Sequence, residues 1–167
     1  MVDFDNPKIS NTAAVWLSLG LLVVSWVIYD LLWFKLVKDQ RLATGISFLL
    51  IVAAAWALAR VFEGRAMYME IGAIFGTIMA ANVWMRILPA QRRMVAALKE
   101  GKEPNQAEAL RAKTSSKHNT FLVVPVVFIM ISNHFPSITY GSQRYGWMVL
   151  SILVLAGWAA AKVIRRA

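Results

Sequence analysis

Five apolar stretches, each close to the length of a membrane-spanning helix, divide this sequence of 167 residues. A helix needs about 20 predominantly apolar residues to cross roughly 30 Å of hydrocarbon. The stretches cover residues 12–34, 44–62, 67–88, 119–134 and 146–163. The pattern therefore predicts an all-α, polytopic integral membrane helical bundle of about five transmembrane helices, forming one membrane domain over residues 1–167.

Composition supports membrane insertion and excludes several kinds of site. Hydrophobic residues make up 59% of the chain and charged residues 16%, which is too apolar for a soluble domain of this size. The chain has no cysteine, so it can hold no covalent c-type haem, no thiolate zinc site and no iron–sulfur cluster. Any haem would be bound non-covalently, with His134 or His118 as the candidate iron ligand.

The distribution of positive charge predicts the topology. The formal net charge is +9, but the basic residues lie in loops beside apolar stretches, and no basic–aromatic stripe indicates nucleic acid. Three Lys and Arg residues fall in 35–43, eight in 86–117 and three after residue 161, which places 14 of the 18 on one side. We therefore expect a multi-pass membrane protein, in contact with membrane lipid, with the N-terminus outside and the C-terminus inside.

The basic cytoplasmic segment 89–117 predicts two short helices between the membrane-spanning stretches. Pro89 and Pro104 each suit the first turn of a helix, and Gly101 suits the end of one. We expect these helices to lie at the membrane surface or in the cytosol, with Arg92 and Arg93 near anionic headgroups.

Polar residues near the ends of the apolar stretches sort into two layers by their depth. The outer layer contains Asn133, His134, Arg60, Glu63, Arg65 and Glu70. The second, inner polar layer contains His118, Asn119, Asn82, Arg86 and Asp30. At ~1.5 Å per residue, the two histidines would lie ~24 Å apart along one helix, so each can act only within its own layer.

The outer layer has the residue types of a proton-transfer site. Glu70 needs a partner in an apolar setting, and we expect it to lie close to His134, the histidine at its depth. His134, Glu70 and Asn133 are the candidate catalytic residues, while Arg60 and Arg65 could hold an anionic substrate. Structural roles stay open, because histidines also anchor helix ends and asparagines also hydrogen-bond neighbouring helices.

Two longer blocks of sequence are distinctive: GRAMYMEIGAIFGTIMAANVWMRILPAQRRMVAALKEG and SSKHNTFLVVPVVFIMISNHFP. With VKDQRLATGISFLL, they resemble the later part of the membrane domain of bacterial cytochrome c-linked urate oxidases, the PuuD type, over most of residues 30–147. The resemblance implies a multi-helix membrane domain, followed by a cytochrome c domain that accepts electrons from the oxidation of urate to 5-hydroxyisourate. The recurrent polar positions of that family fall on Glu70, Asn82, Gln91, His118, Asn119, Asn133 and His134.

The resemblance implies a protein that depends on another electron carrier. Since the sequence lacks the cytochrome c segment and the histidine-bearing first helices, we expect a membrane-embedded component of a urate oxidase-like oxidoreductase in purine catabolism. It would pass electrons to a separate cytochrome or haem, so its expected partner is a cytochrome c or a second membrane subunit. The alternative is a non-catalytic accessory subunit, packed into a larger membrane complex through the small residues Gly72, Gly76 and Ala80.

Overall fold

The computed structural model describes residues 9–142 and 144–165. Its helices are α1 Asn11–Leu31, α2 Gln40–Val61, α3 Gly64–Asn82, α4 Leu88–Lys99, α5 Gln106–Ser132, the short α6 Pro136–Thr139 and α7 Gly146–Ile164. One π-helical segment, Leu32–Leu36, extends α1, and a second, Val83–Ile87, joins α3 to α4 without a break. Five continuous helices are long and apolar enough to cross a membrane. The predicted all-α membrane bundle is therefore confirmed, while the N-terminal residues 1–8, on which part of the topology prediction rests, lie outside the described residues.

Polar side chains fix where three of the long helices begin. Ser10 Oγ accepts a hydrogen bond from the amide of Ala13 at 3.2 Å. Asp39 Oδ1 accepts from the amide of Arg41 at 2.7 Å, and Asn105 accepts from the start of α5 in the same way. Each such cap satisfies an amide that has no partner within the helix and contributes about 1 kcal/mol. Asp39 thus starts α2 immediately after the first π segment, and the chain reverses between them within a few residues.

The two helices of segment 89–117 are continuous with longer helices in the structure. The helix from Gly64 through the second π segment to Lys99 is continuous over 36 residues, or ~54 Å at ~1.5 Å per residue, well beyond ~30 Å of hydrocarbon. α5 likewise begins at Gln106, upstream of the expected start at residue 119. Pro89 does not break the helix, because it stands in the first turn of α4, directly after the wider π turn.

The two extensions form an antiparallel helical hairpin, the basic hairpin of residues 88–117. Gly101 has a φ of 68° at its turn, a conformation that glycine adopts without steric cost. Arg93 Nε donates to Glu108 Oε2 at 2.7 Å, which joins the two arms. Both arms of the hairpin are therefore continuous with helices long enough to span a membrane, one after α3 and one within α5.

α3 occupies the centre of the bundle and packs against α1, α2, α5 and α7. Its buried side chains include Tyr68, Ile71 and Phe75. α5 and α7 approach most closely where Pro125 meets Gly157: a Cβ added to Gly157 would lie 2.8 Å from Pro125 Cγ. Gly72 similarly lies against Ile129, whereas a Cβ at Gly76 would have no atom within 4 Å. Only part of the predicted small-residue surface of α3 is thus used for packing within the described chain.

Candidate functional site

The predicted inner layer is assembled at the meeting point of α1, α3 and α5, with Asn82 at its centre. Arg86 Nη1 donates to Asn82 Oδ1 at 2.6 Å, and Arg86 Nη2 forms an ion pair with Asp30. Asn82 is fully buried. Lys35 Nζ also lies 3.7 Å from Asp30 Oδ2, although Arg86 is the closer cation. The second π segment, which carries Arg86, thus faces the acid at the end of α1.

The remaining hydrogen bonds extend this network from α3 into α5. Asn82 Nδ2 donates to the hydroxyl of Tyr29 at 2.9 Å and to Asn119 Oδ1 at 3.0 Å. Asn119 Nδ2 donates to the carbonyl of Met79 at 3.1 Å, and the Tyr29 hydroxyl lies 2.7 Å from Nδ1 of His118. We call these side chains the inner network: Tyr29, Asp30, Asn82, Arg86, His118 and Asn119. Sequence reasoning missed Tyr29, although its position beside Asp30 was the available signal.

Aromatic rings from α1 and the first π segment lie against the guanidinium of Arg86 and the imidazole of His118. The guanidinium carbon of Arg86 lies 4.0 Å from the ring centre of Phe34 and 4.7 Å from that of Trp26. The ring of His118 lies 4.2 Å from that of Trp33. Trp33 is itself held by a hydrogen bond of 3.0 Å from its Nε1 to Ser47 Oγ on α2. Cation–π contacts therefore restrict the guanidinium of Arg86, and packing against Trp33 restricts the imidazole of His118.

Arg86 determines which groups donate and which accept along the chain of hydrogen bonds from Asn82 through Tyr29 to His118. Because a guanidinium has no acceptor, Asn82 must present Oδ1 to it and Nδ2 to Tyr29. The Tyr29 oxygen accepts that bond, so its own hydrogen needs an acceptor, and His118 Nδ1 lies within reach. We assign the hydrogens in the way that leaves no buried O–H without an acceptor. The neutral imidazole of His118 then carries its hydrogen on Nε2.

This assignment bears on haem and metal binding. Ligation of iron by His118 needs a free electron pair on Nε2, and the inner network places a hydrogen there, so His118 as arranged does not fit a haem ligand. In residues 9–142 and 144–165 there is also no group of three or more His, Cys, Asp or Glu side chains that could hold a metal ion.

The outer layer is more dispersed than the inner network. Glu70 is buried, its Oε2 accepts a hydrogen bond from Ser18 of α1, and its Oε1 has no partner among the described residues. His134 is exposed, and the amide of Asn133 contacts Met69 Sδ at 3.7 Å. Within the described chain no hydrogen bond or ion pair joins Glu70 to His134, so their catalytic pairing stays a prediction. Ser18, in the middle of an apolar stretch, gave no sequence signal for its contact.

The two predicted substrate-binding arginines lie in different surroundings. Arg60 lines a surface cavity of about 400 Å³, together with Arg144 and the rings of Trp56, Tyr145 and Trp147. We call this the outer cavity. Arg65 is exposed and is not part of its lining, and neither is Glu63. Gln91, another position implied by the resemblance, is exposed on α4.

Stacking contacts hold the two guanidinium groups of the outer cavity near aromatic rings. The guanidinium carbon of Arg60 lies 4.0 Å from the ring centre of Trp56, and that of Arg144 lies 5.4 Å from the ring centre of Tyr145. No sequence signal marked Arg144 as a site residue, because it is distant from Arg60 in the chain although both line the same cavity. Guanidinium groups pair with planar anions, and aromatic rings stack on planar ligands.

Comparison with known families agrees with the resemblance seen in the sequence. A family model described as "Urate oxidase N-terminal" matches residues 1–166. The match therefore extends beyond residues 30–147 at both ends. No curated protein and no solved structure matches the chain.

Proposed function

Because the chain belongs to the urate oxidase N-terminal family, we propose that it is the membrane-embedded component of a urate oxidase-like oxidoreductase of purine catabolism. In this proposal it spans the bacterial inner membrane with the basic hairpin on the cytoplasmic side, as the positive-inside rule favours. The outer cavity then lies at the periplasmic surface, and electrons pass to a separate cytochrome c or haem protein.

The outer cavity is the observation that carries the proposal. Urate is a planar anion at neutral pH, so it needs positive charge in the plane of its oxygens and an apolar surface against its ring faces. Arg60 and Arg144 supply the positive charge. The rings of Trp56, Tyr145 and Trp147 supply the apolar surface. The cavity volume of about 400 Å³ is within the roughly 300–1,000 Å³ of small-molecule sites.

The reaction explains why a second protein is needed. Urate and one water give 5-hydroxyisourate, two protons and two electrons, so two electrons must leave for an acceptor. The sequence has no cysteine for a covalent haem, and the inner network presents His118 as a hydrogen-bond donor. The role of this chain is therefore to bind and orient the anion by Arg60 and Arg144, while the external haem protein accepts the electrons. Glu70 and His134 stay the candidate proton acceptors.

Binding of radiolabelled urate to the purified protein, measured by equilibrium dialysis, tests the site. We expect Arg60→Gln and Arg144→Gln each to weaken binding by ~10-fold or more, because a hydrogen bond to a charged group contributes roughly 1.5–3 kcal/mol. Arg65→Gln is the matched control, since it removes an equally exposed charge near the same membrane surface, and it should leave binding unchanged.

Turnover provides the second measurement. Urate should be consumed when an oxidised cytochrome c is added, with matching reduction of the cytochrome, and should persist with oxygen alone. Steady consumption with oxygen as the sole acceptor would contradict the dependence on a partner. Absence of urate binding, with or without the cytochrome, would contradict the proposed site and favour an accessory subunit.

A further inference from the structure

A second, larger cavity lies among the membrane-spanning helices, apart from the outer cavity. Its volume is about 640 Å³, and its walls come from α1, α2, α3, α5 and α7. We call it the interhelical cavity. Most of its lining is aliphatic or aromatic, with Leu21, Ile71, Phe75 and Leu122 among its residues. A cavity of this size and character suits the hydrocarbon part of a ligand.

The polar groups of the interhelical cavity are concentrated at one end. Tyr29 and Trp33 lie at the end of α1, and Gln40, Thr44 and Ser47 lie at the beginning of α2. Lys117 and His118 precede the apolar half of α5, and Lys162 lies in the last turn of α7. Since α1 and α7 run opposite to α2 and α5, all of these positions are at the same depth. Ser25 is nearer the middle, but its hydroxyl is bonded to the carbonyl of Leu22 at 3.0 Å.

Both charged side chains at this polar end are positive. Lys117 and Lys162 line the cavity, and no Asp or Glu from the described residues does. Lys117 Nζ lies 3.3 Å from Gln40 Oε1, a neutral acceptor, so this contact leaves the ammonium charge uncompensated. His118 adds a hydrogen-bond donor to this end, because the inner network assigns a hydrogen to its Nε2. Trp158, which also lines the cavity, has a buried indole Nε1 without an acceptor in the described chain. The cavity therefore combines an apolar interior with a cationic, donor-rich end.

We propose that the interhelical cavity binds one acidic phospholipid, with an acyl chain in its apolar part and the phosphate at Lys117, Lys162 and His118. Charge complementarity favours this occupant over a neutral isoprenoid quinone, whose head would leave both ammonium groups without a counter-charge. Basic pockets between transmembrane helices on the positively charged side of a protein commonly bind such headgroups.

The inner network gives lipid binding a consequence within the protein. The proposed phosphate contact is His118, whose Nδ1 is bonded to Tyr29, which is bonded in turn to Asn82. An anion at Nε2 holds the imidazole in the tautomer that the network requires. Lipid binding and the hydrogen-bond directions of the inner network are therefore coupled, and each stabilises the other. This proposal is independent of urate binding at the outer cavity.

Native mass spectrometry of the purified protein tests the site, with phosphatidylglycerol and phosphatidylcholine of identical acyl chains as the probes. We expect one retained phosphatidylglycerol per chain and at least tenfold less phosphatidylcholine. The double variant Lys117→Gln, Lys162→Gln should retain at least tenfold less phosphatidylglycerol. The control Lys99→Gln, Lys113→Gln removes the same charge from exposed positions outside the lining and should bind as the wild type does.

A variant that fills the apolar part of the cavity tests the acyl-chain contact separately from the headgroup contact. Ala53 lines the cavity from an exposed position on α2, so Ala53→Trp should reduce lipid retention at least tenfold while the helical content stays the same. Equal retention of both lipids, equal loss in the two lysine double variants, or displacement of phosphatidylglycerol by a neutral quinone would overturn the proposal. Should Ala53→Trp fail to fold, the lysine variants still decide the outcome.

Discussion

The hydroxyl of Tyr29 on α1 lies 2.7 Å from Nδ1 of His118 on α5, and this contact connects the first membrane helix to the fourth. Tyr29→Phe should leave His118 Nδ1 without a donor and Asn82 without one of its acceptors. The cost should be about 1–3 kcal/mol in the free energy of unfolding, because buried polar groups lose their partners. Thermal unfolding in detergent measures this cost, with Tyr145→Phe, at an exposed tyrosine, as the control.

The same variant tests the assigned tautomer. In the wild type, the nitrogen chemical shifts of ¹⁵N-labelled histidine should show His118 protonated at Nε2 only, and Tyr29→Phe should produce a mixture of tautomers. His134 is exposed and serves as the internal reference, since it should not change. Protonation of His118 at Nδ1 in the wild type would show that the network runs in the other direction.

Ser18 and Glu70 should be coupled energetically, because Ser18 is the partner of a buried carboxyl group in the described chain. We expect Ser18→Ala to destabilise the wild type by about 1–3 kcal/mol and to have little effect in a Glu70→Leu background. A double-mutant cycle of unfolding free energies gives the coupling. Equal effects of Ser18→Ala in both backgrounds would mean that the contact contributes nothing.

Gly157 is required by the close approach of α5 and α7. Gly157→Ala places a Cβ 2.8 Å from Pro125 Cγ and 2.9 Å from the backbone nitrogen of Pro125, so it should cost about 1–3 kcal/mol through overpacking. Gly76→Ala meets no atom within 4 Å and should stabilise α3 by roughly 0.5–1 kcal/mol, as alanine does relative to glycine in helices. The two unfolding midpoints should therefore move in opposite directions.

Single cysteines test the topology cleanly, because the sequence contains no cysteine. Ser142 is exposed in the loop before α7, and Lys102 is exposed at the tip of the basic hairpin. On intact cells, a membrane-impermeant maleimide should label Ser142→Cys and spare Lys102→Cys, and both should react after lysis. Labelling in the reverse order would invert the proposed orientation.

Depth along a helix could be predicted from the sequence, whereas the direction of a side chain around the helix could not. Depth depends only on residue count and rise, so the sequence alone could assign Asp30, Asn82 and His118 to one level. The structure has all three in the inner network. The face that Glu70 presents depends on how α3 packs, so its contact with Ser18 could not be derived. Pro89 lies in the first turn of α4, as a proline at a helix start does. No sequence rule indicates the π segment that joins α4 to α3 without a break.

The unbroken helix from Gly64 to Lys99 connects the basic hairpin directly to the inner network. Its first 24 residues carry Asn82 and Arg86, and its last 12 residues, α4, extend ~18 Å beyond them. At that length, a tilt of ~10° about Arg86 would move the far end of α4 by ~3 Å. A displacement of the hairpin, by a protein or by the membrane surface, would therefore reach Asn82 and Arg86 through one continuous helix.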